Sequence, residues 1–272
     1  MTKKRRILAL TLTTAALTGA TATACSTTHD GTPETRTFTL PRGTETLTID
    51  AEDTAVELVP VARTGTDIKV TRRFEAKEWN GDTGISWSQD GSTLSFRTKC
   101  SGVFVDCEAS HRVEVPANLA VKVKGRDGSI TARGFAKPLD INSHDGSIRI
   151  EDSTAPLSLT THDGSIRVDG STAPLTMSTT DGSIRASALT SSDVTANTHD
   201  GSIRLTFTDT PRQVKAESRD GSVRLAVPRT PYRITTSAKD GSVDVDVPRD
   251  DASSHTLEAR THDGSIHISA TA

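Results

Sequence analysis

Beyond residue 118 the chain alternates apolar and polar residues on both sides of a recurring turn, as in Leu157-Ser-Leu159-Thr-Thr, then His-Asp-Gly, then Ser-Ile166-Arg-Val168. A period of two places successive side chains on opposite faces of an extended strand, so each half-unit predicts a half-buried β-strand. The same inward pairs recur as Leu139/Ile141 with Ile148/Ile150, Leu175/Met177 with Ile184/Ala186, and Val194/Ala196 with Ile203/Leu205. They continue as Val214/Ala216 with Val223/Leu225 and Leu257/Ala259 with Ile266/Ile268. No window carries a sustained helical period.

The turn itself is the stronger signal. Asp-Gly-Ser begins at Asp90, Asp127, Asp145, Asp163, Asp181, Asp200, Asp220, Asp240 and Asp263, and from Asp127 onward Ile or Val follows every copy. Successive copies from Asp127 are 18, 18, 18, 19, 20, 20 and 23 residues apart, which is a repeat architecture. Asp-Gly is turn chemistry, because glycine accepts positive φ and the Asp side chain can bond its own backbone. A second turn, Asp-Ser-Thr-Ala-Pro at 152–156 and Gly-Ser-Thr-Ala-Pro at 170–174, sets Pro just before the next strand, where its missing N–H does least harm. One rung is therefore strand, Asp-Gly turn, strand, Ser/Thr/Pro turn.

A hairpin of this size cannot bury its inner face alone, whereas rungs stacked about 4.8 Å apart share one apolar strip. Propeller blades need about twice this length, and the Leu-x-x-Leu-x-Leu frame of leucine-rich repeats is absent. The expected fold is all-β: a single-stranded β-solenoid (β-helix) with two sheets per rung, right-handed by the crossover rule, over residues 119–272. Residues 36–118 alternate more loosely, at Thr46–Asp50, Ala55–Val59, Asp67–Val70 and Thr93–Phe96, and hold Trp79, Trp87 and two cysteines. They predict a degenerate β cap closing the open end of the solenoid, against a separate ligand-binding lobe with exposed tryptophans.

The N-terminus changes the picture of where the protein works. Lys3, Lys4, Arg5 and Arg6 precede the apolar run Ile7–Gly19, too short to cross a bilayer and suited to a signal peptide over residues 1–24. Ala22-Thr23-Ala24-Cys25 has the form of a lipobox, with Ala22 in place of the usual large aliphatic residue. Cys25 is the expected lipidation site, against ordinary secretory cleavage with an idle thiol. Residues 25–35 then read as the lipidated Cys and a flexible tether. The expected location is the outer side of the bacterial cell membrane, held there by lipid alone.

Cys100 and Cys107 are the remaining cysteines, close in sequence and in a compartment where disulfides persist, so they read as a structural staple. Loss of the leader leaves 28 basic against 35 acidic residues, a net charge near −7. That balance argues against nucleic acid as a partner.

The lipobox-like start, the Cys100/Cys107 segment running into His111-Arg-Val-Glu-Val-Pro116 and the serial Asp-Gly-Ser-Ile rungs resemble the putative-adhesin domain family of bacterial surface lipoproteins, a domain of unknown function. The resemblance covers nearly the whole mature chain. It implies a β-solenoid without agreed catalytic residues. Related domains beside cell-envelope stress regulators imply an alternative role, as a stress or structural accessory protein assembling with itself or a membrane regulator.

Stacking turns a repeated residue into a column. Arg149, Arg167, Arg185, Arg204 and Arg224 form an expected ladder flanked by Ser147, Ser165, Ser183, Ser202 and Ser222. Asp127, Asp145, Asp163, Asp181, Asp200, Asp220, Asp240 and Asp263 line the turn edge. Like charges so close repel unless neutralised. The neutraliser is either internal, from Glu151, Asp169 or the turn carboxylates, or external, from an anionic cell-wall polymer laid along the Arg/Ser column.

Neither the Asp column nor His144, His162, His199 and His262 carries a recognised calcium or zinc pattern, and no metal or cofactor is expected. The nucleophile elbow, phosphate loop and His-Glu-x-x-His motifs are absent, which places a polysaccharide lyase or hydrolase last. The reading is a non-enzymatic surface binding module for anionic envelope polymer or a surface protein.

Overall fold

The computed structural model describes residues 28–78, 81–103 and 105–271. The leader, Cys25 and Trp79 lie outside them. The chain opens with β1 (Thr28–Asp30), β2 (Glu34–Thr39), β3 (Thr46–Glu52) and β4 (Ala55–Val61). Four longer strands follow, β5 (Asp67–Glu78), β6 (Gly81–Asp90), β7 (Thr93–Gly102) and β8 (Val105–Pro116). The repeats begin with β9 (Ala120–Gly125), β10 (Ile130–Arg133), β11 (Leu139–Asn142), β12 (Ile148–Ser153), β13 (Leu157–Thr160) and β14 (Ile166–Ser171). They continue as β15 (Leu175–Ser178), β16 (Ile184–Leu189), β17 (Asp193–Thr198), β18 (Ile203–Phe207), β19 (Gln213–Ser218) and β20 (Val223–Val227). The last are β21 (Arg233–Ala238), β22 (Val243–Asp246), β23 (Thr256–Thr261) and β24 (Ile266–Ala270).

Two sheets face each other. One runs β1-β5-β8-β4-β10-β12-β14-β16-β18-β20-β24-β22, with β2 also on β5, and the other runs β21-β23-β19-β17-β15-β13-β11-β9-β3-β7-β6. Repeat strands pair in parallel with the predicted register, Leu139 opposite Leu157 and Ile148 opposite Ile166. The all-β two-sheet solenoid expected from the alternation is the fold. Every inward pair named above is buried to 3% exposure or less, so the pattern of two reads out the core. Small and large residues share rungs, Met177 with Ala186 and Ala196 with Leu205, which keeps the thin interior filled.

Four expectations are refined or corrected by the structure. The segment read as a flexible tether is partly strand, since Thr28–Asp30 and Glu34–Thr39 both lie antiparallel on β5 and satisfy backbone groups along its edge. In the 36–118 segment β3/β4 packs in parallel between β9/β10 and β7/β8, and β5 and β6 add antiparallel strands outside β8 and β7 as a cap lobe.

The third correction concerns stacking order. A simple coil sets each corner over the one before it in sequence, but β23/β24 is inserted between β19/β20 and β21/β22. Asp263 therefore follows Asp220, and Asp240 is outermost. At the opposite end β3/β4 lies between β7/β8 and β9/β10, so a chain-terminal rung is held between two others at both ends.

The fourth concerns the Asp-Gly corner: Gly91 has positive φ (56°), but the glycines of the repeats from Gly128 onward do not. They are required by close approach. A Cβ on Gly164 would lie 2.2 Å from the Gly146 carbonyl oxygen, and one on Gly182 would lie 2.0 Å from that of Gly164. The left-handed conformation belongs to the second corner instead, at Asp152 (φ 53°), Gly170 (φ 69°) and Ala188 (φ 51°).

Candidate functional site

The flat glycine stack sets the column built beside it. Each Asp-Gly-Ser corner delivers an Ile or Val inward and the next residue outward, so Arg149, Arg167, Arg185, Arg204 and Arg224 fall opposite one another in adjacent strands. All five are exposed. On one side the column continues through Thr131, Glu57 and Arg112; on the other it ends in His267 and Asp244.

Direct pairing within the column reaches only the first arginine. Arg149 Nε donates to Glu151 Oε1 at 2.8 Å, and Arg133 pairs with Glu151 at 3.0 Å and Asp152 at 3.1 Å. That bond from Arg149, with the nearby charges of Arg133 and Arg167, holds the Glu151 carboxyl below its ordinary range despite some desolvation. Asp169, expected as a partner, accepts from Ser187 Oγ at 3.1 Å instead. Arg167, Arg185, Arg204 and Arg224 make no hydrogen bond or ion pair among the described residues. The flanking column explains why: after Glu151 and Asp169 it continues with Ser187 in register, and Thr206 and Ala226 hold the same place beside Arg204 and Arg224.

At the Thr131 end a groove of about 500 Å³ is lined by Glu57, Arg112, Thr131, Arg133, Arg149 and Glu151. Its charges are paired, Arg112 with Glu57 and Arg133 with Glu151. At the far end His267 Nδ1 lies 2.8 Å from Asp244 Oδ2. The bare cations thus lie between two neutralised ends. The outer face of the second sheet shows no such stripe, with Asp140, Ser158, Thr176, Thr195 and Lys215 in one row.

The turn edge is tied together locally. His144 Nδ1 lies 2.5 Å from Asp145 Oδ1 and His262 Nδ1 lies 2.7 Å from Asp263 Oδ1, while His162–Asp163 and His199–Asp200 make the same contact. The bond from His262 is the first reason the Asp263 carboxyl lies below its usual range. His144 and His162 stack at 5.2 Å. Three corners gather one imidazole and two carboxylates within 4.8 Å: His162/Asp163/Asp181, Asp181/His199/Asp200 and Asp220/His262/Asp263. In the latter two the other ring nitrogen already accepts a hydrogen bond, from Arg219 at 2.9 Å and from Lys239 at 3.0 Å. Asp127, at the first corner, lies against Asp53, whose carboxyl is raised by burial first and by Asp127 second.

A family model, Toastrack DUF4097, matches residues 32–269. The chain belongs to the Toastrack DUF4097 family. Two solved structures share the Toastrack fold. A putative adhesin from Bacteroides fragilis is 15% identical, with a TM-score of 0.52, over 88% of this chain and 97% of that one. A putative adhesin from Parabacteroides merdae is 13% identical, with a TM-score of 0.50, over 89% and 98%. Comparison with curated proteins yields no match.

Two features of this Toastrack chain escape a reading of alternation alone. Cys100 and Cys107 are disulfide-bonded as expected, yet their bond joins the two sheets of the lobe rather than two turns of a rung. Behind most of the repeat's Asp-Gly corners stands a buried hydroxyl. Thr161, Thr179, Thr198, Ser218 and Thr261 each donate to the glycine carbonyl of the adjacent rung at 2.8–3.1 Å. The hydroxyls of Thr179, Thr198 and Ser218 also accept from the glycine N–H of their own corner. The signal was present in the sequence, a Ser or Thr three places before Gly in most copies.

Proposed function

We propose that this protein is an exported, non-enzymatic surface binding module, tethered through lipid on Cys25, that engages an extended anionic envelope polymer along the Arg167–Arg224 column. The observation supporting this is four guanidiniums in register that make no hydrogen bond or ion pair among the described residues. Like charges about 4.8 Å apart disfavour each other, and a linear polyanion relieves that repulsion while meeting fork-shaped donors suited to phosphate or carboxylate. Ser165, Ser183, Ser202 and Ser222, beside the column, add hydroxyl donors. The putative adhesins that share the fold are consistent with a binding role at the cell surface.

The test is retention of the full chain on insoluble cell wall against the Arg167→Ala/Arg185→Ala/Arg204→Ala variant, across a range of salt. The expected outcome is loss of retention and a flatter salt dependence, since fewer counterions are released. Equal retention at every salt concentration removes the polyanion mechanism.

A second reading, an envelope-stress or structural accessory protein assembling with a membrane regulator or surface protein, draws on the outer edge of β22. That strand ends its sheet, and its Val243 is 44% exposed. Deleting the gene and finding unchanged stress-gene induction under antibiotic challenge would count against it.

A further inference from the structure

The two ends of the coil are finished differently. At the N-terminal end β5 and β6 run antiparallel to β8 and β7 and close the stack. At the other end the outermost rung pairs only inward, β21 with β23 and β22 with β24, and no strand lies beyond either among the described residues. Its core-facing positions are open to match. Val243 is 44% exposed and Val245, Thr236 and Ala238 are half-buried, whereas Ile266, Ile268 and Ala259, one rung in, are buried. The backbone is open at the same places. Arg233 donates its N–H inward to His255 and Ser242 accepts from Ile266, so by alternation Ile234, Thr236 and Ala238 on β21, and Val243 and Val245 on β22, turn their N–H and C=O groups outward. The chain leaving β22 covers this edge at Tyr232, one residue before β21.

The exposed charges of this rung are sorted by sign. β22 carries Asp244 and Asp246, while β21 and the corner after it carry Arg233 and Lys239. Arg233 donates to the backbone carbonyls of Asp251 and Ser253, and Lys239 to His262 Nε2, which cancels neither charge. Asp244 is met by the His267 imidazole at 2.8 Å, and Asp246 meets Arg229 only at 3.9 Å. Charges that merely ward off edge pairing need no such division by sign.

We propose that this rung is the interface with a second copy of the chain, the two coils joined end to end about a two-fold axis parallel to the strands. That axis lays β22 of each copy antiparallel on β21 of the other, so both sheets and the apolar strip between them continue across the junction. With the two Asp240 corners stacked, Val243 falls opposite Ala238 of the second copy and Val245 opposite its Thr236. Outward-turned backbone groups and core-facing side chains then meet together. Asp244 and Asp246 stand diagonal to Lys239 and Arg233 of the second copy, within reach of such long side chains. The alternative two-fold, across the sheets, sets β22 on β22 and β21 on β21 and opposes like charges on both edges. Charge complementarity thus selects the occupant and its orientation. The proposal rests on the edge that carries the accessory reading, and gives it a partner.

Sedimentation of the full processed chain, in detergent with micelles in large excess, should show a reversible monomer–dimer equilibrium as concentration rises. Asp244→Lys/Asp246→Lys makes both edges basic and Arg233→Glu/Lys239→Glu makes both acidic. Each variant alone should sediment as a monomer, and an equal mixture of the two as a dimer. Thr236→Pro removes an outward N–H with no strand beyond it and should be monomeric at an unchanged melting temperature. Amide exchange reads the edge without mutation: in the wild type residues 234–238 and 243–246 should gain protection with concentration. A wild type monomeric at every concentration, a dimer kept by either charge variant alone or by Thr236→Pro, or growth into open-ended chains would overturn the proposal. Each of these leaves contact with a membrane regulator standing. Unchanged stress-gene induction on gene deletion removes the accessory role and leaves the dimer.

Discussion

Acid should loosen the N-terminal end of the rod through one residue. His111 is 1% exposed, its Nδ1 lies 2.9 Å from Thr54 Oγ1, and its ring is stacked on Phe96 at 4.1 Å. Its Nε2 is buried without a hydrogen-bond partner. Burial first, and the charge of Arg72 second, push the imidazole down from 6.5 to about 3. Between those values the unfolded chain carries a proton that the folded chain refuses. Stability is therefore complete above about pH 6.5 and declines by about 1.4 kcal/mol for each unit the pH falls, a loss of about 2 kcal/mol by pH 5. The comparison is urea unfolding of the wild type and His111→Gln at pH 7, 6 and 5, followed by tryptophan fluorescence, because Trp87 lies 6.3 Å from the imidazole. Glutamine retains a group for Thr54 and has no proton to gain, so the pH dependence of the wild type should exceed that of the variant by about 2 kcal/mol across this range. Parallel pH profiles would refute the assignment.

Three further outcomes follow from the stacking geometry. Gly182→Ala drives a Cβ to 2.0 Å from the Gly164 carbonyl oxygen and should cost about 3 kcal/mol, read as a lower midpoint in thermal or chemical unfolding. Ala188→Gly removes a side chain from a left-handed position at φ 51° and should stabilise by about 0.5 kcal/mol after the entropic penalty of glycine; an unchanged or lower melting temperature contradicts the strain. Truncation after Asp251 removes β23 and β24, on which both β21 and β22 depend, so amide exchange should show residues 233–246 losing protection together. Continued protection of that rung would mean it pairs directly with β19 and β20.

The architecture was readable from the sequence because the inward residues of strands repeat with a period of two and the corners with a period near 18, both local properties of the chain. Leu157, Leu159, Ile166 and Val168 fall in the core for that reason alone, and the five arginines fall in a column because each follows the same corner. What the sequence could not convey was which rung lies on which. Ile266 follows Val243 in the chain but sits between it and Val223 in the sheet, since parallel pairing specifies a register and any rung with that register can fill the place. The sequence also left open whether the arginines are neutralised. Glu151 and Asp169 stand equally close to their arginines in sequence, yet one carboxylate accepts from Arg149 and the other from Ser187. Side-chain pairing depends on which atoms converge in space, and only the folded chain decides that.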